Sequence, residues 1–192
     1  MKYFIRVTVI ISLLFVLQAC GASRKSILSD KVVTTETNVA TKKMPTAGKS
    51  IPSRVIYTKN ADPGSLVDFA ETLIGTRYKY GSVVKEQGFD CSGFITYVFN
   101  HFNIQVPRIS KDFTNAGISV PFEKSKPGDL ILFTGTDTTG WVVGHMGIIT
   151  QNEDGKIKFI HSSSGKSVGV VISGMSKYYE TRFVKVIRVF QP

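Results

Sequence analysis

The stretch Gly88-Phe89-Asp90-Cys91-Ser92-Gly93-Phe94 sets a cysteine between two polar residues, at the point where apolar residues begin to recur with helical spacing. A helix that starts near Cys91 or Ser92 would bury one apolar face, made of Phe94, Ile95, Val98 and Phe99. The first turn of a helix favours a thiolate, because its backbone N–H groups are unpaired and lie at the positive end of the dipole. The stretch therefore predicts Cys91 at the edge of the core, either as a nucleophile or as a buried, inert thiol.

Two histidines favour the interpretation of Cys91 as a nucleophile over that of an inert thiol. In the predicted strands, His145 shares a face with Val143, Gly147 and Ile149, and His161 ends the face of Ile157 and Phe159. Two inward histidines on neighbouring strands, with one unpaired cysteine, make a set of nucleophile, base and orienting residue. A zinc site would need the same three side chains, but they lack the closely paired spacing of zinc motifs. His101 lies near the end of the second helix and needs no catalytic role.

The loop between these strands decides how the histidines face each other. If residues 151–155 form a five-residue hairpin loop, Thr150 pairs with Lys156 and His145 lies opposite His161. A shorter loop that ends in Asp154-Gly155 would shift His145 toward Ser163. His161 would then be a diagonal neighbour, still within reach of His145.

The wider pattern predicts an α+β fold. Asp62 and Pro63 are signals of a helix N-terminus, and an apolar stripe follows them as far as Gly75. After Pro107 the pattern changes to short strands, at 129–133, 145–150, 156–161, 168–172 and 182–190. Helices first and antiparallel strands later predict N-terminal helices packed on a central antiparallel sheet.

The N-terminus has the features of an export signal that ends in a lipid attachment site. A basic start is followed by an apolar run of about 11 residues, which is too short to span a bilayer. Leu17-Gln18-Ala19-Cys20 resembles the lipobox of bacterial lipoproteins, whose cysteine is acylated and becomes the mature N-terminus. An ordinary cleaved signal peptide with an incidental cysteine is the alternative. Gly21, where no aspartate stands, resembles lipoproteins that are passed on to an outer membrane.

The sequence divides into three predicted segments. Residues 1–19 are the lipoprotein signal peptide, and 20–60 are the acylated cysteine and a flexible tether, rich in Ser, Thr and Lys and without apolar periodicity. Residues 61–192 have the length of a single domain with its own core.

The number of cysteines and the net charge limit the possible disulfides and the class of partner. The chain has two cysteines, so Cys91 has no disulfide partner if Cys20 carries lipid. A net charge of +10 suits an anionic partner, such as cell-wall polymer or lipid head groups. Nucleic acid is excluded as a partner by the export signal.

Six motifs in this order closely resemble the NlpC family of cell-wall endopeptidases: Tyr78-Lys79-Tyr80-Gly81, the 88–94 stretch, Pro107-Arg108-Ile109-Ser110, Pro127-Gly128-Asp129-Leu130, Gly144-His145-Met146-Gly147 and Ile160-His161. The resemblance implies a papain-like core with the cysteine at a helix N-terminus against an antiparallel sheet. With the lipobox and the short tether, the chain resembles the small Spr-type outer-membrane lipoproteins of that family. Departures at Arg77, Ser82 and Phe113 affect expected substrate subsites rather than the catalytic residues.

The resemblance implies a role for each matching catalytic residue. Cys91 would attack the amide carbon, and His145 would take the thiol proton and later protonate the leaving amine. His161 would orient the His145 imidazole. The Tyr78 hydroxyl and the Cys91 backbone N–H would stabilise the oxyanion.

Five other residues of these motifs have less specific expectations. Asp90 and Ser92 match positions that line the substrate groove in the family. Tyr80 is expected to pack in the core. Arg108 and Ser110 would either cap the next helix or touch substrate.

The resemblance implies hydrolysis of amide bonds in peptidoglycan stem peptides. The bond would be the one between D-glutamate and the diamino acid, or the D-alanine cross-link to that diamino acid, and the sequence does not choose between them. A non-catalytic wall-binding lipoprotein on the same fold and a thiol-dependent acyl or amide transferase are the alternatives. No cofactor or metal is expected. The chain would act as a monomer, held through lipid on Cys20, at the outer membrane and facing the periplasm.

Overall fold

The structure is a computed structural model that describes residues 56–165 and 169–190. The predictions for the signal peptide, for Cys20 and for most of the tether fall outside these residues. In chain order the elements are α1 (Pro63–Glu71), β1 (Val83–Val84), β2 (Gly88–Phe89), α2 (Cys91–His101), β3 (Ile118–Val120), β4 (Leu130–Thr134), β5 (Val143–Glu153), β6 (Lys156–Ser163), β7 (Gly169–Gly174), α3 (Lys177–Glu180) and β8 (Phe183–Arg188). Two short 3-10 helices cover Ser110–Asn115 and Phe122–Lys124.

Both main helices begin where the sequence predicts. Asp62 caps α1, with its carboxylate accepting from the Ser65 N–H at 2.7 Å, and Pro63 occupies the first turn. The helix ends at Glu71, four residues before Gly75, the predicted stop. Gly75 instead donates its N–H to the carbonyl of Val170 in β7 at 2.9 Å, because the chain here turns to meet the sheet edge.

The six main strands form one antiparallel sheet in the order β3-β8-β4-β5-β6-β7. All five predicted strands are present, with ends that differ by at most three residues from the predicted ones. The strand β3 and the two-residue strands β1 and β2 were not predicted, since they are too short to show alternation. The α+β prediction is confirmed.

The β5–β6 hairpin has the shorter of the two predicted loops. Glu153 pairs with Lys156, and the turn residues Asp154 and Gly155 have φ values of 51° and 82°. Such a two-residue turn suits the twist of the strands, so the five-residue loop was a wrong prediction. A bulge at Thr150 then brings Ile148 opposite Ile160.

Continued along both strands, this register sets His145 opposite Ser163 and makes His161 a diagonal neighbour. The second predicted register is therefore confirmed.

The core lies on both faces of the sheet. The larger cluster joins α1 and α2 to one face and includes Phe94, Phe99, Met146 and Ile160. A smaller cluster covers the other face, with Ile131, Phe133, Ile149, Ile157, Phe159 and Val186. No helix within 56–165 or 169–190 combines the length and hydropathy that crossing a bilayer requires.

Candidate active site

Cys91 is the first residue of α2, and the sequence around it explains why the helix begins there. The Asp90 backbone is extended, with φ −81° and ψ 177°, and its carboxylate accepts from the Gly93 N–H at 2.6 Å. A side chain at position 93 would collide with the carbonyl of Ser82, so the position requires glycine. The helix start thus fixes the backbone that carries the thiol.

A buried polar network stabilises this helix start. Arg108 donates to Asp90 Oδ2 at 2.8 Å and to Oδ1 at 3.1 Å, and it also donates to Ser92 Oγ at 3.1 Å. The residues Asp90 and Ser92 are both buried, and neither lines the groove that contains the thiol. Asp90 and Ser92, expected to line the substrate groove, contact Arg108 at the start of α2, and Arg108 binds the cap of α2 rather than the next helix.

The Cys91 thiol contacts Ser110 and Gly144. Its Sγ lies 3.4 Å from Ser110 Oγ and 3.7 Å from the Gly144 carbonyl oxygen. A Cβ on Gly144 would lie 2.5 Å from the Gly135 Cα, so the absence of a side chain at Gly144 lets β5 pass close to the backbone of Gly135. Burial raises the pKa of the thiol more than the hydrogen bond from Ser110 lowers it. The resting form is therefore the neutral thiol, in contrast to the thiolate expected at a helix N-terminus.

His145 and His161 are hydrogen-bonded to each other. His145 Nε2 lies 2.9 Å from His161 Nδ1, and the two rings meet edge to face with an interplanar angle of 86°. His161 is fully buried, and its Nε2 lies 3.0 Å from Ser173 Oγ and 3.3 Å from the Tyr179 hydroxyl. The hydrogen-bonded chain therefore continues past the two predicted histidines to Ser173 and Tyr179.

Burial keeps both imidazoles neutral. Desolvation, helped by the charge of Arg182, lowers the pKa of His145 from its ordinary 6.5 to about 4. Desolvation and then the neighbouring His145 lower the pKa of His161 to about 3. Because His161 is neutral, its hydrogen bond to His145 lacks the charge that an Asp or Glu partner would bring.

An open groove joins these groups. It has a volume of about 730 Å³. Its lining includes the thiol, His145 and side chains or backbone from four strands and the loops beside them: Tyr78, Tyr80, Cys91, Phe133, Thr134, Gly135, Thr136, Gly144, His145, Ser163, Ser164, Gly165, Val171, Ser173, Tyr178, Tyr179 and Arg182. The groove brings together the predicted nucleophile, base and oxyanion residue.

Tyr78 and Tyr80 both face this groove. An isolated bridge to Phe89 places Tyr78 beside the start of α2, and burial followed by the charge of Cys91 raises the pKa of its hydroxyl. Tyr78 thus remains a hydrogen-bond donor well into the alkaline range. Tyr80 is 88% exposed at the rim, so its predicted core packing is wrong.

A family comparison agrees with this geometry. The model of the NlpC/P60 family matches residues 75–188, which is more than half of the chain and includes every residue of the groove. The chain belongs to the NlpC/P60 family.

Two curated relatives and one solved structure show how far the similarity extends. The chain is 33% identical to a gamma-DL-glutamyl hydrolase of Bacillus subtilis over 124 residues, which are 65% of this chain and 29% of that protein. It is 29% identical to the murein DD-endopeptidase MepS/murein LD-carboxypeptidase of Escherichia coli over 192 residues, 98% of this chain and 94% of that one. A solved NlpC/P60 family protein from Bacillus cereus has a TM-score of 0.59 and 26% identity, covering 69% of this chain and 41% of that one. The chain thus spans less than half of two of these relatives and nearly all of the third.

The departures from the family pattern have structural roles in this member. Arg77 donates from Nε to the Gln87 carbonyl at 3.0 Å and from Nη2 to the Glu86 carbonyl at 2.9 Å, so it holds the loop before β2. The Ser82 Oγ accepts from the Val84 N–H at 3.2 Å. Phe113 is fully buried in the larger core cluster.

The histidines of this NlpC/P60 domain use their facing nitrogens on each other. Within the part of the chain that the structure describes, no group of three or more His, Cys, Asp or Glu side chains converges as metal ligands would. The hydrogen-bonded chain consists of the two histidines with Ser173 and Tyr179.

Four residues of this NlpC/P60 site were missed or left undefined at the level of the sequence: Ser110, which contacts the thiol, and Ser173, Tyr179 and Arg182, which line the groove. Ser173 shares a strand face with Val171, which pairs with His161. The sequence between β6 and β7 does not fix the register of the two strands, so this pairing could not be predicted. Tyr179 lies in the four-residue helix α3, which is too short to show a period. Of the four, only Ser110 belongs to one of the six motifs, Pro107-Arg108-Ile109-Ser110.

Proposed function

We propose that this chain hydrolyses amide bonds in the peptide part of peptidoglycan, with Cys91 as nucleophile and His145 as base. Membership of the NlpC/P60 family supports the proposal. The relatives supply the substrate class, since one is a murein endopeptidase and another a glutamyl hydrolase. The thiol and the imidazole supply the chemistry.

One observation carries the proposal. Cys91 and His145 line the same open groove, and His145 Nε2 is bonded to His161 Nδ1 at 2.9 Å. That bond leaves His145 Nδ1 as the nitrogen that can exchange a proton in the groove. A buried structural histidine would have both nitrogens engaged inside the protein.

The tautomers follow from this arrangement. Each neutral imidazole carries one N–H, so a basic His145 Nδ1 requires the proton on Nε2, which then donates to His161 Nδ1. His161 Nε2 in turn carries its proton and donates to Ser173 Oγ, with the Tyr179 hydroxyl nearby. We assign to His161 the role of fixing the ring and its tautomer.

The reaction needs no group from outside the chain except water. As Cys91 Sγ attacks the amide carbon, its proton moves to His145 Nδ1, since neither ion is stable in the resting site. The tetrahedral oxyanion is stabilised by the Cys91 backbone N–H and the Tyr78 hydroxyl. The C–N bond then breaks, the amine leaves with the proton from Nδ1, and the thioester remains. Water, deprotonated by Nδ1, attacks the thioester carbon and releases the acid and the thiol.

The test is release of fragments from purified peptidoglycan. The full-length protein, purified in detergent, should release peptides that mass spectrometry identifies as cut at one amide bond of the stem. Cys91→Ala and His145→Ala should abolish release, while Lys158→Gln, a charge change on an exposed residue outside the groove, should not. Binding of the polymer without any release by the wild type would favour a wall-binding lipoprotein instead.

A transferase that uses the same thiol differs from the hydrolase in the acceptor that attacks the thioester. The thioester would be attacked by an amine rather than by water, so added amino acids would appear in the products. Hydrolysis in ¹⁸O-labelled water should incorporate label into the released carboxylate. Products without the label would contradict the hydrolase.

We infer further that the protein is exported and held at a membrane by lipid on Cys20. The lipobox-like Leu17-Gln18-Ala19-Cys20 supports this, with 1–19 as signal peptide. A tether of about 40 residues would extend on average about 35 Å, which suits reach from an outer membrane into the wall on its periplasmic side. Incorporation of a labelled fatty acid by wild type, and its loss in Cys20→Ser, would support the assignment. A labelled Cys20→Ser protein would contradict it.

The proposed working unit is residues 61–192, acting as a monomer. All the groups that the mechanism uses lie in this segment of one chain. Light scattering of the detergent-purified protein should give the mass of one chain, and a mass of two chains would contradict the proposal.

A further inference from the structure

Arg182 is the one side chain with a full charge among the described residues that line the groove. The ion pairs described in the structure are Arg108 with Asp90, Lys177 with Glu180, and Arg188 with Asp129. None of them uses Arg182. The groove therefore contains a cation without a carboxylate partner in the described part of the chain.

The surroundings hold Arg182 in place. Its guanidinium carbon lies 4.2 Å from the centre of the Tyr178 ring, a cation–π contact. Its carbonyl accepts from the Thr134 N–H at 2.8 Å, and its N–H donates to the Tyr179 carbonyl at 3.1 Å. Planar stacking fixes one face of the guanidinium and leaves its edge N–H groups available for a planar anion.

Arg182 stands on the His145 side of the groove. Its charge contributes to lowering the pKa of His145, and its neighbour Tyr179 is bonded to His161. In an amide hydrolysis the base also protonates the leaving amine, so the residue that supplies the amine lies beside His145. Arg182 is therefore close to that part of the substrate.

Thr134 adds an unpaired hydroxyl at the same place. It is 2% exposed and lines the groove, and its Oγ1 is the only buried side-chain oxygen or nitrogen in the described residues without a hydrogen-bond partner. Its backbone is tied to Arg182, so the hydroxyl and the guanidinium belong to one corner of the groove. An unpaired buried hydroxyl is unfavourable unless a ligand completes it.

We propose that Arg182, assisted by Thr134, binds a free carboxylate on the carbon that carries the leaving nitrogen of the substrate. The proposal rests on the proposed function and adds the selection of the bond. The guanidinium would donate two parallel hydrogen bonds to the carboxylate, and the hydroxyl would donate a third.

This carboxylate separates the two candidate bonds. In a cross-link to a diamino dicarboxylic acid, the carbon next to the scissile nitrogen carries a free carboxylate. In the bond between D-glutamate and that diamino acid, the corresponding carboxyl is already part of the next peptide bond when the stem continues. Arg182 therefore favours the cross-link, and also a bond to a C-terminal D-alanine.

The test uses two synthetic stem peptides that differ only at this position, one with the free carboxylate and one with the carboxamide. We expect the full-length wild type to prefer the carboxylate peptide in kcat/KM by about 10- to 100-fold, the range of a charge-assisted hydrogen bond. Arg182→Gln should lose this preference, so that its kcat/KM for the carboxylate peptide falls to its value for the carboxamide peptide. Lys158→Gln, which removes an exposed charge outside the groove, should keep the preference.

Thr134→Val gives a second measurement that leaves the charge in place. It should weaken the preference severalfold, and cutting of the carboxamide peptide reports that either variant is folded. Equal rates on both peptides by the wild type, or an unchanged preference in Arg182→Gln, would overturn this proposal alone. Failure of the wild type to cut either peptide would overturn the proposed function and this selection together.

Discussion

His145 and His161 form an edge-to-face pair in which Nε2 of the first lies 2.9 Å from Nδ1 of the second. The bond joins two neutral rings, one on the groove and one fully buried. It engages Nε2 of His145 and leaves Nδ1 of that ring outside the bond. The first prediction follows from this bond.

Replacement of His161 should show whether its acceptor atom positions the His145 ring. His161→Ala removes the acceptor for the His145 Nε2 proton, so we expect kcat to fall by about 100-fold, in the range of a misplaced general base. His161→Asn keeps an oxygen near the position of Nδ1 and should recover at least part of that loss. The measurement is kcat on a stem peptide, with circular dichroism to show that both variants fold. Equal losses in the two variants would mean that the acceptor atom is not what matters.

The pH profile should have its acid limb near pH 4. The base must be neutral to accept the thiol proton, and the pKa of His145 is lowered to about 4 by its burial. Activity should therefore rise through that pH and be level at neutrality, because the raised pKa of Cys91 keeps the thiol protonated there. The measurement is kcat/KM against pH, together with the rate of alkylation by iodoacetamide. An acid limb near 6.5 would mean that burial does not lower the pKa of His145 in solution. Alkylation with an apparent pKa below that of a free thiol would indicate a resting pair of thiolate and imidazolium instead.

The same histidines should make the fold sensitive to acid. Their pKa values are lowered in the folded state, so the unfolded chain binds more protons once the pH falls below about 6.5. Stability is fully present above that pH and declines as the pH approaches the folded values. Between pH 7 and pH 5 the loss should be about 2 kcal/mol for each histidine. Urea unfolding at the two pH values measures it, and a His145→Gln, His161→Gln double variant should lose most of the dependence.

The sequence was sufficient for the elements that carry the thiol and the histidines. Helical spacing after Cys91 and alternation before His161 are local signals, and both of those predicted faces are present. The predicted face of His145 is only partly right, because the register shift between Phe133 and Thr134 leaves Val143 in the larger core cluster and Ile149 in the smaller one. The β5–β6 register needed a choice of turn that alternation does not make, and the bulge at Thr150 has no signature of its own. Contacts between distant segments, such as His161 with Tyr179, depend on the fold as a whole, so no pattern predicted them.

Asp90 and Arg108 offer a test between substrate binding and support of the nucleophile. Arg108 binds both carboxylate oxygens of Asp90, and the arginine side chain is 39% exposed against 11% for the aspartate. Asp90→Asn should keep the helix cap but lose the ion pair, which lowers the unfolding free energy by about 0.5–1 kcal/mol. Asp90→Ala should cost about 1 kcal/mol more, because the cap is also lost. If Asp90 binds substrate instead, as the family resemblance implies, Asp90→Asn should raise KM while the unfolding curve stays in place.

Tyr78 should contribute through its hydroxyl alone. Burial raises the pKa of that hydroxyl, so it stays protonated and able to donate to an oxyanion across the working pH range. Tyr78→Phe keeps the ring in the groove and removes only the donor. We expect kcat to fall by about 10- to 100-fold with little change in KM, because the hydrogen bond forms with the tetrahedral intermediate and not with the flat amide.

Tyr57→Phe is the matched control for Tyr78, since Tyr57 is 77% exposed and lies outside the groove. It should leave both constants unchanged. A Tyr78→Phe enzyme with wild-type kcat would remove Tyr78 from the oxyanion site. A rise in KM alone would mean that the hydroxyl binds the substrate before attack, since only ground-state contacts act on KM without acting on kcat.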